Sequence, residues 1–421
     1  MTDASEKTTA GAVVEHGLLD VPTVTRGISG WRDEMLLRRA AAEFERHDLA
    51  PIRVTLPSGR SRVLGTGSTA DAHLVLASYA ALRRSLWRGT LGFAESYIDG
   101  SLRTPALASL IDYFLDNQSA LERMGRGLFR VRLPDRLAHV LRRNTRRGSR
   151  RNIAAHYDLG NEFYRRWLDR GMTYSSALFA TGSEPLEEAQ AAKYATILDL
   201  LDIAPGQHLL EIGCGWGGMA EAAARADVHV TGVTISAEQL ALARRRLAEA
   251  GLSERADLAF RDYRDIEGTY DRIVSIEMIE AVGEESWNRY FQVLSDRLAP
   301  GGMAVLQAIT IREEDFAAYR AAPDFIQRYI FPGGMLPTVS HMRACAERAG
   351  LSFSCELSFG DSYVRTLDHW RQRFLDAWSE IRALGFDERF RRMWELYLVY
   401  CAIGFARGYI DVGLYRLHKP R

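Results

Sequence analysis

The sequence predicts an α/β fold: a doubly wound parallel sheet with helical additions over residues 152–421, preceded by a small α+β unit over residues 1–122. Three observations predict it. First, Leu209-Leu210-Glu211-Ile212 is a short apolar run that breaks into Gly213-Cys214-Gly215-Trp216-Gly217-Gly218 and then a helix-like stretch, Met219–Arg225. A buried strand that runs through glycines into a helix brings backbone amides close to a ligand at the end of a parallel sheet. Second, strand-like and helix-like stretches alternate downstream, which is the pattern of parallel strands joined by crossover helices. Third, residues 123–151 form an arginine-dense segment, from Arg123 to Arg151, with Asp135 as its acidic counterweight; the composition shift marks a linker.

Taken in order, residues 1–30 are polar and rich in Thr, Gly and Ser. Met35–His47 has helical spacing. Pro51–Leu56 alternates like a strand, Pro57-Ser58-Gly59-Arg60 is a turn, and Ser61–Leu64 returns as the second arm of a hairpin. His73–Ala77 reads as a strand and Tyr79–Trp87 as a helix. Thr104-Pro105 reads as a capped helix start, with the helix running to about Asn117. After the glycine loop come a strand at Val228–Val233, an amphipathic helix at Ala237–Ala250, and strands at Leu258–Asp262, Arg272–Ile276 and Ala304–Ile309. The helix Ser286–Leu298 carries Trp287, Tyr290, Phe291, Leu294 and Leu298 on one stripe, a core face. Arg371–Ala406 reads as covering helices, and Ile410–Leu417 as a last strand.

Lys+Arg and Asp+Glu are each 54, so no net field draws the chain to nucleic acid. The arginines of 123–151 are not interleaved with stacking aromatics, which also argues against nucleic acid. A solvated linker and a patch for anionic lipid headgroups remain the two readings of that segment. Cys214, Cys345, Cys355 and Cys401 show no metal-ligand spacing, so no metal is expected and a reduced cytoplasmic setting fits. No apolar stretch is long enough to span a bilayer, so membrane contact is expected to be peripheral, at the inner face.

The acidic residue before Gly213-x-Gly215-x-Gly217 resembles motif I of S-adenosylmethionine-dependent methyltransferases, a Rossmann-like fold. Several further stretches agree in order with the cyclopropane-fatty-acid synthase family, which includes the mycolic acid cyclopropane synthases. They are His156-Tyr157-Asp158-x-Gly160-Asn161, Met172-Thr173-Tyr174-Ser175, Thr231-Gly232-Val233-Thr234-x-Ser236-x-x-Gln239, and Asp262-Tyr263-Arg264-Asp265. Glu277–Gly283, Tyr329–Gly334, Tyr363-x-Arg365-Thr366-Leu367 and Arg391–Leu398 complete the series. The N-terminal unit resembles that of the longer, bacterial-type synthases at Gly92–Gly100.

The resemblance implies a catalytic domain over 152–421 that binds S-adenosylmethionine. Gly213, Gly215 and Gly217 would lie against its amino-acid end, and Thr234 and Gln239 near its ribose. Asp262 and Tyr263 would flank the adenine, and Tyr174 and Ser175 would close over the methionine portion. An alkene attacks the methyl group, a cation forms on the acyl chain, and a base removes a proton. Loss from the new methyl closes a cyclopropane; loss from a neighbouring carbon leaves a methylated or methylene-branched alkene. The family holds bicarbonate as that base, and by position its cradle here would be Ser176, Glu280, Gln307, Ile309 and Tyr363. The pattern departs where many members have Cys (Ser176), His (Gln307) and His after the glutamate (Ala281). Phe325, Ile326, Tyr329, Ile330, Phe331, Met335 and Leu336 lie in a segment too apolar for an ordinary loop and are expected to line an acyl tunnel whose mouth faces Asn152–Trp167. The function implied is methyl or methylene transfer to double bonds in membrane phospholipid acyl chains. The ring-forming outcome leads and a methyl branch is the alternative; an N- or O-methyltransferase and a non-catalytic lipid-binding protein are the rivals. A homodimer is expected from the resemblance.

Overall fold

The structure, a computed structural model, describes residues 30–124, 159–322 and 324–421. Most of the arginine-dense segment, and His156, Tyr157 and Asp158, lie outside the described residues.

The N-terminal unit begins with α1 (Gly30–Arg46) and builds a four-stranded sheet in the order β2-β1-β3-β4. β1 (Ile52–Thr55) and β2 (Ser61–Leu64) form the expected hairpin, with Ile52 opposite Leu64. Gly59 takes the left-handed conformation (φ 80°) that this turn requires. β3 (Ala72–Leu76) runs parallel to β1. α2 (Tyr79–Ile98) is longer than the sequence suggests and bends at Gly89, whose φ and ψ of 56° and −134° are not helical. β4 (Leu102–Arg103) is too short to show a pattern and was not anticipated. α3 (Leu107–Asp116) starts two residues after Pro105, because the Thr104 hydroxyl accepts from the Ala106 amide in a local turn and caps no helix. α4 (Gln118–Met124) follows.

After α5 (Asn161–Arg165) and α6 (Leu186–Leu201), the chain builds a seven-stranded sheet, order β10-β11-β9-β8-β5-β6-β7. β5 (His208–Ile212), β6 (His229–Thr234), β7 (Ala256–Phe260), β8 (Tyr270–Ile276) and β9 (Leu298–Ile311) are mutually parallel. α7 (Gly218–Arg225), α8 (Ala237–Glu249) and α9 (Trp287–Arg297) are crossover helices. The order reverses between β5 and β8, and ligands bind at such a switch point, beyond the carboxyl ends of the strands. The Trp287 stripe is buried as core, each large side chain contributing about 1.5–3 kcal/mol.

After β9, α10 (Glu313–Ala321) and a π-helix, Ile326–Ile330, lead to α11 (Val339–Arg348) and β10 (Ser352–Ser358). β10 is an edge strand of mostly exposed residues, which hid it in the sequence. The covering helices are α12 (Gly360–Asp376), α13 (Trp378–Ala383) and α14 (Glu388–Ala406). β11 (Ile410–His418) closes the sheet antiparallel to β9. Phe163, Tyr164, Trp167, Trp370 and Trp394 form a dense aromatic cluster under these helices. Among the described residues no helix is long and apolar enough to cross a membrane.

Candidate active site

A cavity of about 550 Å³ lies at the switch point. Its polar half is the glycine loop. Gly213, Gly215 and Gly217 have φ of 86°, 49° and 83°, which an L side chain rarely adopts. Gly213 and Gly215 line the cavity, whereas Gly217 does not. Gly217 precedes α7, and a Cβ there would sit 3.0 Å from the Cβ of Ala243, so its part is helix packing. The loop is buttressed from α5: the Trp216 indole donates to the Asn161 side chain at 2.7 Å.

The neighbouring groups fit a charged, amino-acid-bearing nucleoside. Glu211 is buried, one of its carboxylate oxygens has no partner, and burial pushes it up to about 8; a ligand ammonium would satisfy it. Thr234 and Gln239, joined by a 3.1 Å hydrogen bond, line the cavity at the end of β6. Asp262 and Tyr263 line it beyond β7. The Tyr263 hydroxyl is buried without a protein partner, while the Asp262 carboxylate is held by Arg264 at 2.7 and 2.8 Å. Tyr174 lines the cavity among Trp370, Phe331 and Tyr397, its hydroxyl 2.9 Å from that of Tyr397. These faces suit a sulfonium and a carbocation by cation–π attraction. Ser175 also lines the cavity. Its hydroxyl is held at 2.7 Å by the fully buried Lys193, and its carbonyl at 2.9 Å by Gln190, both on α6.

Of the five residues expected to cradle an anion, Ser176, Gln307 and Tyr363 converge instead on a carboxylate not expected in that role, Glu277. Glu277, just after β8, accepts from the Ser176 amide at 2.9 Å, the Gln307 amide group at 2.8 Å and the Tyr363 hydroxyl at 2.7 Å. The backbone amide of Ile309 goes to Glu280 at 2.6 Å. The Ser176 hydroxyl donates to the Ala177 carbonyl. The donors that a bound bicarbonate would use are thus already engaged, so the expected open cradle is replaced by the chain's own carboxylate. Ser176 and Gln307 stand behind Glu277 and do not line the cavity; Glu277, Glu280, Ile309 and Tyr363 do. The signal was the backbone: Glu277 has φ 49°, which costs a non-glycine residue about 1–2 kcal/mol. Strain of that kind collects at functional sites.

Burial raises both carboxyls. Three donors and the Lys193 ammonium oppose it at Glu277. Glu280 has one donor, an unpartnered oxygen, and Glu277 beside it, and is pushed up to about 8. Burial thus disfavours charge on both carboxyls, and the groups that favour the charged form gather at Glu277 rather than at Glu280.

The apolar half of the cavity agrees with expectation in part. Ile326, Phe331, Met335 and Leu336 line it, whereas Phe325, Tyr329 and Ile330 do not. The segment is a π-helix, closed by a bond from the Phe331 amide to the Ile326 carbonyl at 2.8 Å. The wider turn rotates Ile326 and Gln327 inward. Phe325 packs on Tyr329 and Tyr400, Ile330 is buried, and Tyr329 hydrogen-bonds Glu95 of the N-terminal unit. No described residue of Asn152–Trp167 lines the cavity. Phe163, Tyr164 and Trp167 belong to the aromatic cluster, and the cavity is bounded instead by α14 and by Ile111, Leu115 and Gln118 of α3 and α4.

The model of the mycolic acid cyclopropane synthetase family matches residues 144–414. The chain belongs to that family. It is 37% identical to the tuberculostearic acid methyltransferase UfaA1 of Mycobacterium tuberculosis, over 98% of this chain and 97% of the relative. It is 38% identical to the cyclopropane-fatty-acyl-phospholipid synthase of Escherichia coli, over 77% of this chain and 81% of that one. The solved cyclopropane synthase MmaA2 from Mycobacterium tuberculosis is 33% identical, with a TM-score of 0.61, covering 64% of this chain and 98% of that chain. The mycolic acid cyclopropane synthase CmaA1, solved with SAH and CTAB, superposes with a TM-score of 0.60 at 33% identity, over 64% of this chain and 98% of that one. This member of the family is an S-adenosylmethionine-dependent methyltransferase acting on fatty acyl chains.

Proposed function

We propose that this enzyme methylates a double bond within the acyl chain of a membrane phospholipid and releases a methyl- or methylene-branched alkene, with Glu277 as the proton acceptor. When bound, S-adenosylmethionine supplies an electrophilic methyl group. The alkene π pair forms the new carbon–carbon bond and leaves a cation on the acyl chain. Tyr174, Phe331 and Tyr397 shelter that cation with their ring faces and exclude water. Glu277 takes a proton from a carbon next to the cation, and the electron pair of the broken C–H bond quenches the cation. For the methylene branch a 1,2-hydride shift first moves the cation to the methyl-bearing carbon, and the proton then leaves from the methyl. Tyr363, Gln307 and Ser176 fix the carboxylate, and the nearby Lys193 ammonium favours its charged form.

The observation that carries the reading is the convergence of three donors on Glu277 where an open anion cradle was expected. The similarity to a tuberculostearic acid methyltransferase across nearly the whole of both chains supports a branched product. The similarity to a cyclopropane-fatty-acyl-phospholipid synthase supports a phospholipid acceptor, with arginines 123–151 meeting anionic headgroups at the inner face of the membrane. The test is incubation with methyl donor and vesicles of unsaturated phospholipid, followed by ozonolysis and mass spectrometry of the released acyl chains. A branched alkene is cleaved at the methylated carbon or one bond away from it. A product that gains the methyl-derived carbon yet resists ozone is a cyclopropane and would overturn the branched assignment.

A further inference from the structure

The N-terminal unit forms part of the cavity wall. Ile111 and Leu115, one turn apart on α3, and Gln118, at the start of α4, all border the cavity that holds Glu277 and Glu280. Ile111 is buried, Leu115 half-buried and Gln118 exposed, so the three run from the interior to solvent. Tyr400, Ile403 and Gly404 on α14 border the same cavity. The two helices are clipped at the solvent end: Arg407 reaches Asp112 at 2.7 Å and Asp116 at 2.6 Å. The π-helix is held from the same unit, since Glu95 accepts from Tyr329 at 2.6 Å and is itself paired with Arg88. The family model begins at residue 144, downstream of all these N-terminal groups.

We infer that Ile111 and Leu115 form the entrance wall for the acyl substrate and grip the methylenes between its carboxyl end and its double bond. This rests on the acyl-chain reading above. A chain with its polar end at the solvent-facing mouth and its alkene beside Glu277 must pass this wall, whereas methylenes beyond the alkene do not meet it. The N-terminal unit therefore selects substrates by the length of chain on the carboxyl side.

The test measures binding, so it does not depend on turnover. Singly unsaturated lysophospholipids are titrated into the full-length protein with S-adenosylhomocysteine present. One series varies the methylenes between carboxyl and alkene; the other varies those beyond the alkene. Each added methylene that finds apolar contact raises affinity by up to about fourfold. In Ile111→Ala/Leu115→Ala the carboxyl-side slope is expected to flatten and the far-side slope to stay. Leu115→Ala alone, at a half-buried position, gives the same reading with less risk to folding, and circular dichroism checks each variant. Equal slopes in wild type and both variants, or an equal fall in both series, would overturn the inference. Wild-type protein that binds these lipids with the expected slopes but releases no S-adenosylhomocysteine would instead refute the methyltransfer reading and leave the wall in place.

Discussion

Replacing Glu277 with Gln tests the centre of the mechanism. The side chain keeps its size, so the cavity keeps its shape. The carboxylate, however, accepts from three donors at 2.7–2.9 Å, and an amide places its own N–H₂ against at least one of them. More important, an amide cannot accept the proton. A positioned general base contributes about 10²–10⁴ in rate, which is ~3–5 kcal/mol of barrier. The expected result is a fall of that size in kcat, with little change in S-adenosylmethionine affinity, because the glycine loop and Glu211 are untouched. The assay is release of S-adenosylhomocysteine from unsaturated phospholipid vesicles, with calorimetric titration of the donor. Glu277→Gly sharpens the test. It relieves the strain of φ 49° and frees the Ser176, Gln307 and Tyr363 donors around a hollow. Added bicarbonate is expected to restore activity to Glu277→Gly and to leave the wild type unchanged. Glu277→Gln activity within threefold of wild type, or a wild-type enzyme that itself requires bicarbonate, would refute the assignment.

Other consequences follow from the same geometry. Tyr363→Phe removes a 2.7 Å hydrogen bond to a charged group, worth about 1.5–3 kcal/mol, and is expected to lower kcat roughly 10- to 150-fold with the fold intact by circular dichroism. Lys193→Met removes the cation that helps Glu277 ionise, so the acid limb of the pH–rate profile is expected to move to higher pH. Glu280 is held protonated by the fold, at about 8 against an ordinary 4.5. Its contribution to stability is full below the ordinary value and is lost as pH rises through about 8, with a slope of up to ~1.4 kcal/mol per pH unit. Urea unfolding across that range is expected to show Glu280→Gln with a shallower decline than wild type. Gly232→Ala would place a Cβ 2.4 Å from the Leu258 side chain, and thermal unfolding is expected to report a loss of about 1–3 kcal/mol.

The parts of this protein legible in its sequence are those governed by local rules. The strand–glycine–helix unit at 209–225 and the β6–α8 unit that follows are written in hydrophobic period and turn chemistry, and they form as read. Gly213, Gly215 and Thr234 reach the cavity because they lie at or just beyond the ends of parallel strands, and Gln239 reaches it from the first turn of α8. Edge strand β10 escaped notice because exposed edges carry no apolar alternation. Phe325, Tyr329 and Ile330 were misplaced because a π-helix changes the angle per residue, and the spacing of aromatics does not reveal that.

By itself, then, the amino-acid order determined the sheet, the cofactor loop and the family, since each rests on contacts between near neighbours or on motifs a few residues long. Tertiary structure alone decided the chemistry of proton removal. Ser176, Gln307 and Tyr363 lie 101, 30 and 86 residues from Glu277, and only folding brings their donors onto one carboxylate. It likewise decided that a helix near residue 111 walls a cavity built mainly by residues beyond 170. Hydrogen bonds and burial depend on distance in space, and a chain read in one dimension carries no measure of that distance.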